Sequence, residues 1–313
     1  MHSLTPPSCA SQLRQVRNHM TSNAFRPKPT TLFWLLAPAT VLFVVAVVAP
    51  VLISIGFSTL QWSGGRNMKF IGIGNLVRLA QDSVFWKSFG NNLFITIFCL
   101  IFQIGIGFLV ASILQSKTVK LGELHRTVIF FPVVMSAVVI GFMWSMIYNR
   151  EYGLLNTFLR GLGLSSLIHP YLDDPKTIMF FVSIPIVWQY IGLFMMLFLT
   201  GYQGIDTSII EVSIIDGAGP VRRAWYVTLP LLSETFKVAV ILCIAGNMKI
   251  FDHIFIMTGG GPGRSSNVMA MYAYNQAFEM FQIGYGSAVS VGIMILSLTL
   301  ILASRLLIGR NQT

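Results

Sequence analysis

Charge is scarce in this chain. Only 10% of its 313 residues are Asp, Glu, Lys or Arg, whereas soluble domains carry about 25%. So few charges cannot clothe a water-soluble domain, and that class is excluded. Carboxylates are rarest, 11 against 21 basic residues, and no apolar run is rich in them. Cysteine is nearly missing. Cys9, Cys99 and Cys243 are odd in number and widely spaced, and two lie in apolar segments; a disulfide framework and a zinc spacing are both excluded. No Ser-His-Asp or Cys-His signature is present, and His125, His169 and His253 stand alone. That argues against a membrane enzyme, and we expect no catalytic residue, no metal and no cofactor. Gly259-Gly260-Gly261-Pro262 lacks the Gly-Lys-Ser/Thr of a phosphate loop and follows no strand, so it reads as a tight turn.

Apolar surface is abundant: 54% of residues are hydrophobic and the mean hydropathy is +0.72. The chain is an integral membrane protein by composition. The net charge of +10 comes from basic residues scattered over short loops, so membrane topology accounts for it and nucleic acid does not. A bilayer crossing takes about 20 apolar residues. Six runs qualify, at 32–55, 91–115, 126–148, 178–201, 235–257 and 284–308. The first comes after a polar, basic tail over 1–31 and is too long for a signal-peptide core, so it is read as a retained span of a 32–313 membrane domain. Six spans put both termini on one side. With that side cytoplasmic, the inner segments hold twelve Lys and Arg residues and the outer segments eight, with Lys249 left within a span. The positive-inside rule favours this orientation.

The stretch Glu211–Pro230, within a loop over 202–234, does not fit the bilayer. It carries Glu211, Asp216, Arg222 and Arg223 between two apolar runs. The pattern predicts helix, break, helix. Gly217 permits the turn, Pro220 suits a first helical turn, and Pro230 stops or kinks the second helix. Either a docking element for a partner or a solvated loop fits this local pattern. On the outer side, Val77–Phe89 and the stretch beginning Tyr152-Gly153-Leu154 read as short helices at the membrane surface or packed on their neighbours.

Glu211, Asp216-Gly217-Ala218 and Leu229-Pro230 resemble the cytoplasmic loop of the permease subunits of bacterial ATP-binding-cassette importers. Val212 and Ser213 replace the family's usual alanines, and Ala224 its usual Phe. The resemblance runs from about residue 30 to the end. Gly153-Leu154-Leu155-Asn156, Leu199–Ile205, Lys249-Ile250-Phe251-Asp252, Thr258–Pro262, Tyr274–Phe278 and Gly284–Ala288 are similar to the carbohydrate branch, in its maltose- and glycerol-phosphate-type first permease subunit. Asp206 stands where the family often has Pro. The resemblance implies an all-α type I importer permease with six transmembrane helices in a bacterial plasma membrane. It implies a second permease subunit as heterodimer partner, an ATPase dimer that hydrolyses the ATP, and an extracytoplasmic sugar-binding protein. It makes Glu211, Asp216, Gly217, Ala218 and Pro230 the ATPase-coupling residues. The basic-residue count independently puts that loop in the cytoplasm. A secondary transporter or channel for small polar solutes is the alternative, but no repeated half or carboxylate-rich span supports it.

Polar residues inside spans face the bundle interior or a cavity. Gln189, Asn247 and Ser287 are candidates for the substrate route, with Trp188 and Tyr190 offering aromatic faces to sugar rings; interhelical hydrogen bonding is the alternative for the amides. Lys249 and Asp252 are three apart and, on one helix, would meet as a structural ion pair or else contact substrate. Residues 1–19 match no part of the family pattern, and Met20 is a candidate start, which predicts that deleting 1–19 leaves transport intact.

Overall fold

The computed structural model describes residues 28–115 and 120–309. The 1–19 segment, the Met20 start and nearly all of the 1–31 tail lie outside them. The described chain forms two units, one ending at Ile53 and one starting at Ser54.

The fold is all-α apart from one small hairpin. Four helices are long and apolar enough to cross a bilayer unbroken: α1 Thr30–Ser58, α3 Ser83–Leu114, α7 Ile178–Gln203 and α13 Ile283–Leu307. Two bent helix pairs pass the same length and hydropathy test only when each pair is taken together. Helices α4 Gly122–Val134 and α5 Ala137–Ile147 meet at 97°, and α9 Val221–Leu231 and α10 Ser233–Met248 meet at 76°. The short helices are α2 Gly74–Ala80, α6 Leu154–Gly161, α8 Thr207–Ile215, α11 Asp252–Met257 and α12 Met269–Tyr274. The hairpin pairs Leu60 with Phe70 and Gln61 with Lys69.

Three of the expected spans change shape. The 126–148 run is interrupted at Met135, where Ser136 caps α5 by accepting from the Val138 N–H. The second span begins at Ser83 rather than 91, because Asp82 caps it from Val84 and Phe85. That cap also divides the expected 77–89 surface helix: α2 ends at Ala80, and 83–89 is the start of α3. Leu79 and Phe85 are buried against the last helix rather than laid on a bilayer. The 235–257 run breaks after Met248, and α11 restarts only at Asp252. Helix α6 does present Leu154 and Phe158 outward, as a surface element would.

Helix α7 is the spine of the second unit. It packs on α3, α4 and α10, and Val182, Ile186, Phe194 and Phe198 are buried in its main apolar cluster. Gly192 makes the α4 contact possible: a Cβ there would lie 2.5 Å from the Ile129 carbonyl oxygen. Small residues allow such backbone approach between membrane helices, where apolar burial alone drives little association. A second cluster joins Leu79, Phe85, Met248, Tyr272 and Tyr285 where α2, α3, α10, α12 and α13 converge.

Candidate functional site

The segment after α7 folds as its local chemistry dictates. Asp206 caps α8, its carboxylate accepting from the Ser208 N–H at 2.9 Å, which accounts for an acid where the related pattern has Pro. Helix α8 ends at Ile215. Gly217 then takes φ +75°, and the N–H groups of Gly217 and Ala218 bond back to the carbonyls of Ile214 and Ser213 at 3.0 Å each. This is a glycine-closed helix end. Pro220 opens the next turn, α9 continues it, and the chain bends at Leu232, two residues past Pro230. Leu232 is buried and anchors the segment to the bundle.

The segment's surface is unusual. Val212, Ile214, Val221 and Trp225 are exposed, and Ile215 and Tyr226 reach 82% and 78% exposure. Glu211, Asp216, Gly217 and Pro230 are exposed among them, and Ala218 is half-buried. Asp216 sits at the C-terminal end of α8, so it cannot serve as a helix N-cap. Among the described residues neither Glu211 nor Asp216 has a side-chain hydrogen bond or ion pair. Two free carboxylates flank an apolar patch that the described chain does not cover.

The membrane interior shows the opposite arrangement. Gln189, near the middle of α7, donates from Nε2 to the Met135 carbonyl at 2.9 Å, which is the carbonyl at the α4–α5 bend. Its Oε1 accepts from His253 Nε2 at 2.7 Å. Both amide atoms are therefore engaged within the chain. Asn247 donates to Cys243 of its own helix. Asn92, which the sequence pattern did not single out, is fully buried and works as a clasp. Its Nδ2 donates to the Asn247 and Met248 carbonyls at the end of α10, and its Oδ1 accepts from the Met269 N–H at the start of α12. Gln103 donates to the Ile186 carbonyl. The Asn91-Asn92 pair at the head of the 91–115 run was the available signal for Asn92; its partners are 155 or more residues away.

The remaining route candidates lie nearer the surface. Trp188 is 36% exposed and packs edge-on against Trp144 at 6.0 Å. Tyr190 and Ser287 are half-buried. Lys249 and Asp252 do not form the expected ion pair. The helix break at 249–251 removes the common helix that would have brought them together, both are exposed, and the ion pairs of the described residues are Arg126–Glu123, Lys237–Glu234 and His169–Asp174.

Asp82 ties the opposite end of the bundle. Its Oδ1 caps α3, while its Oδ2 accepts from the hydroxyls of Tyr272, at 2.5 Å, and Tyr285. Arg78 covers the Tyr285 ring at 3.8 Å and donates to Gln282. Burial pushes the Asp82 carboxyl up, but these hydroxyl and backbone donors together outweigh it and hold it below the ordinary 3.8. Beside the connection from α5 to α6 a cavity of about 600 Å³ is lined by Tyr148, Arg150, Glu151, Asp173 and Thr258. The Gly259–Pro262 turn borders it and is closed by the Gly261 N–H on the Thr258 carbonyl.

The chain has relatives among known proteins. Residues 103–310 match the family described as binding-protein-dependent transport system inner membrane component. A probable ABC transporter permease protein of Bacillus subtilis, YurN, is 36% identical over 85% of this chain and 91% of its own length. The lactose transport system permease LacF of Rhizobium radiobacter is 31% identical over 84% of this chain and 89% of its own. A chain in the crystal structure of a bacterial ABC transporter that imports the acidic polysaccharide alginate superposes with a TM-score of 0.77. It is 17% identical and covers 97% of this chain and 100% of that one.

Proposed function

Since this chain belongs to the family of binding-protein-dependent transport system inner membrane components, we propose that it forms half of the translocation pathway of an ATP-driven sugar importer. The family is a permease; ATP hydrolysis belongs to a separate subunit. The sugar assignment draws on relatives named for lactose and for sulfoquinovosyl glycerol transport. In this reading a second permease completes the pore, and a binding protein delivers solute to the outer loops. Both termini and the 202–234 loop lie in the cytoplasm, where an ATPase dimer takes up the loop.

One observation carries the reading: the α8–α9 segment holds an apolar patch and two unpaired carboxylates outward on a helix–turn–helix anchored at Leu232. A solvated loop would cover Ile215, Trp225 and Tyr226 or replace them with polar residues. A patch in a groove of the ATPase would bury the apolar side chains, while Glu211 and Asp216 meet basic groups there. ATPase closure then moves α8–α9, and Leu232 passes the motion to α10. Trp188 and Tyr190 supply aromatic faces to the solute with Ser287 as a hydrogen-bonding group. Gln189 holds α7, which carries Trp188 and Tyr190, to the α4–α5 bend and to α11.

The test is reconstitution of the four-subunit transporter with its binding protein. Gly217→Val forces a branched side chain into a positive φ, and Asp216→Lys reverses a docking charge. Both variants should reach the membrane in normal amounts, yet lose sugar uptake and the stimulation of ATP hydrolysis by the loaded binding protein. Wild-type uptake and stimulation in both would remove the coupling role.

A further inference from the structure

Residues 58–87 lie at the end of the bundle away from α8–α9. Near the last turn of α3 the Ser112 hydroxyl bonds that of Tyr202, which sits at the end of α7 directly before α8. The 32 residues of α3 rise about 48 Å at 1.5 Å each, so Ser83 stands at the other end. A hydrocarbon layer is roughly 30 Å thick, and about 40–45 Å with its headgroups. The apolar run of α3 starts only at residue 91, so its first turns lie at headgroup depth. Helix α2 is held beside them. Asn75 donates to the Ser58 and Leu60 carbonyls at 2.9 Å each, and the Trp86 indole N–H donates to the Ala80 carbonyl at 2.9 Å. Leu79 packs so close to Gly292 that a Cβ there would lie 2.7 Å from its side chain.

The outward side of this stretch carries cations and large apolar side chains together. Ile73 and Val77 are one helical turn apart, linked by the Val77 N–H on the Ile73 carbonyl; both are exposed, as are Phe70 and Trp86. Val77 and Arg78 border one cavity of about 560 Å³, with Gly74, Gln81 and Asp82. Arg78 rests on the Tyr285 ring and gives one bond to Gln282, which leaves the rest of its five N–H donors for an acceptor outside the chain. Arg66 and Lys69 in the hairpin and Lys87 beside Trp86 are exposed too, and none of the four cations has an ion-pair partner among the described residues. Two acids stand against them. Asp82 turns its oxygens inward, to the hydroxyls of Tyr272 and Tyr285 and to the α3 cap, and Glu279 is exposed just before α13. A tryptophan and apolar side chains at headgroup depth, with an excess of positive charge beside them, fit an anionic lipid surface in both hydropathy and charge.

We propose that the 66–87 stretch is a seat for an anionic phospholipid. The lipid phosphate enters the Arg78 cavity, its acyl chains run along Ile73 and Val77, and Arg66, Lys69 and Lys87 add attraction around it. The inference needs only that the chain crosses a membrane, not that it carries a sugar. The test is a titration of the full chain, purified in detergent, with phosphatidylglycerol and with phosphatidylcholine, the bound lipid being counted by native mass spectrometry. The wild type should bind the first phosphatidylglycerol about tenfold more tightly than phosphatidylcholine, the change that 1.4 kcal/mol produces. Arg78→Gln should remove most of that preference. Arg78 also packs on Tyr285, so Lys69→Gln with Lys87→Gln, two exposed side chains without an ion pair, gives a second reading free of that contact; it should lower the preference by a smaller factor. Arg150→Gln with Lys176→Gln, outside the stretch, should leave it at the wild-type level. Equal affinity for the two lipids in the wild type overturns the proposal, as does an unchanged preference in both the Arg78 and the paired lysine variants. An equal fall in the Arg150 and Lys176 variant overturns it too, since diffuse charge would then suffice. Displacement of phosphatidylglycerol by millimolar inorganic phosphate would give the cavity to a free anion and overturn the lipid seat. In reconstituted transporter in phosphatidylcholine alone, loss of binding-protein stimulation by Arg78→Gln with the lipid preference intact would give the stretch to the binding protein instead.

Discussion

The α8–α9 segment and the centre of α7 both mix polar with apolar residues, and they resolve the mixture in opposite ways. The amides of Gln189 and Asn92 find partners within the chain, among them carbonyls at helix breaks. Around Asp216 the carboxylates are free, and large apolar side chains stand exposed. Satisfied polar groups in an apolar medium specify how helices pack. Unsatisfied charges beside exposed apolar surface mark a face completed by another chain. On the proposed function, one region is architecture and the other an interface that another chain completes.

The sharpest break in that comparison is a substitution that abolishes transport while the bundle stands. Gly217→Val and Asp216→Lys should each lower uptake in reconstituted transporter by about tenfold or more, equal to at least about 1.4 kcal/mol of lost coupling. Thermal unfolding of the detergent-purified subunit should be unchanged in Asp216→Lys and lowered only slightly in Gly217→Val, whose strain is confined to an exposed turn.

The reverse pattern is expected at Asn92. Asn92→Ala strips the partner from the Met248 carbonyl and the Met269 N–H, while the Asn247 carbonyl keeps the Ile250 N–H. Each buried polar group left unpaired costs about 1–3 kcal/mol, so a loss of about 3 kcal/mol is expected. It should show as a lower unfolding temperature and less protein in the membrane. An unchanged unfolding temperature would mean that the clasp is dispensable.

A smaller effect separates positioning from solute contact at Gln189. A double-mutant cycle of Gln189→Ala with His253→Ala should return a coupling of about 1 kcal/mol in stability, the usual size for hydrogen bonds between membrane helices. Zero coupling, with an altered sugar preference in Gln189→Ala, would return Gln189 to the solute route.

The smallest effect concerns acid. Asp82 has a carboxyl held below its ordinary value, so its stabilising contribution is present above the unfolded-state value. It is lost as pH falls through the lower folded-state value. Stability should therefore decline below about pH 4 in the wild type. Asp82→Asn should be less stable near neutrality and show a shallower acid decline, read from unfolding temperature against pH. An identical acid profile in the variant would dissociate Asp82 from it.

The part of the functional region that was legible in sequence is the part built from local chemistry. Gly217 and Pro220 mark a turn because φ and the missing N–H are properties of single residues, and helices end and start there as expected. The Lys249–Asp252 pair was misread because the 3.6-residue period was carried through 249–251, where the chain leaves the helix. That break is held by Asn92, 155 residues upstream, and no window around Lys249 contains it. The start of α3 at Ser83 was missed although its cause, the Asp82 cap, is local; the apolar run alone was taken as the helix.

Composition and hydropathy were enough to put the chain in a membrane, to give roughly where it crosses, and to mark residues 211–230 as too charged for its interior. These are consequences of transfer free energies and backbone preferences that act residue by residue. Only the tertiary structure decided where the third and fifth crossings bend and which polar residues are consumed in holding those bends. It alone left Lys249 and Asp252 exposed without each other. The reason is that a helix break in an apolar medium survives only if distant groups take up its freed carbonyls and N–H groups, and that pairing exists only once the helices have packed.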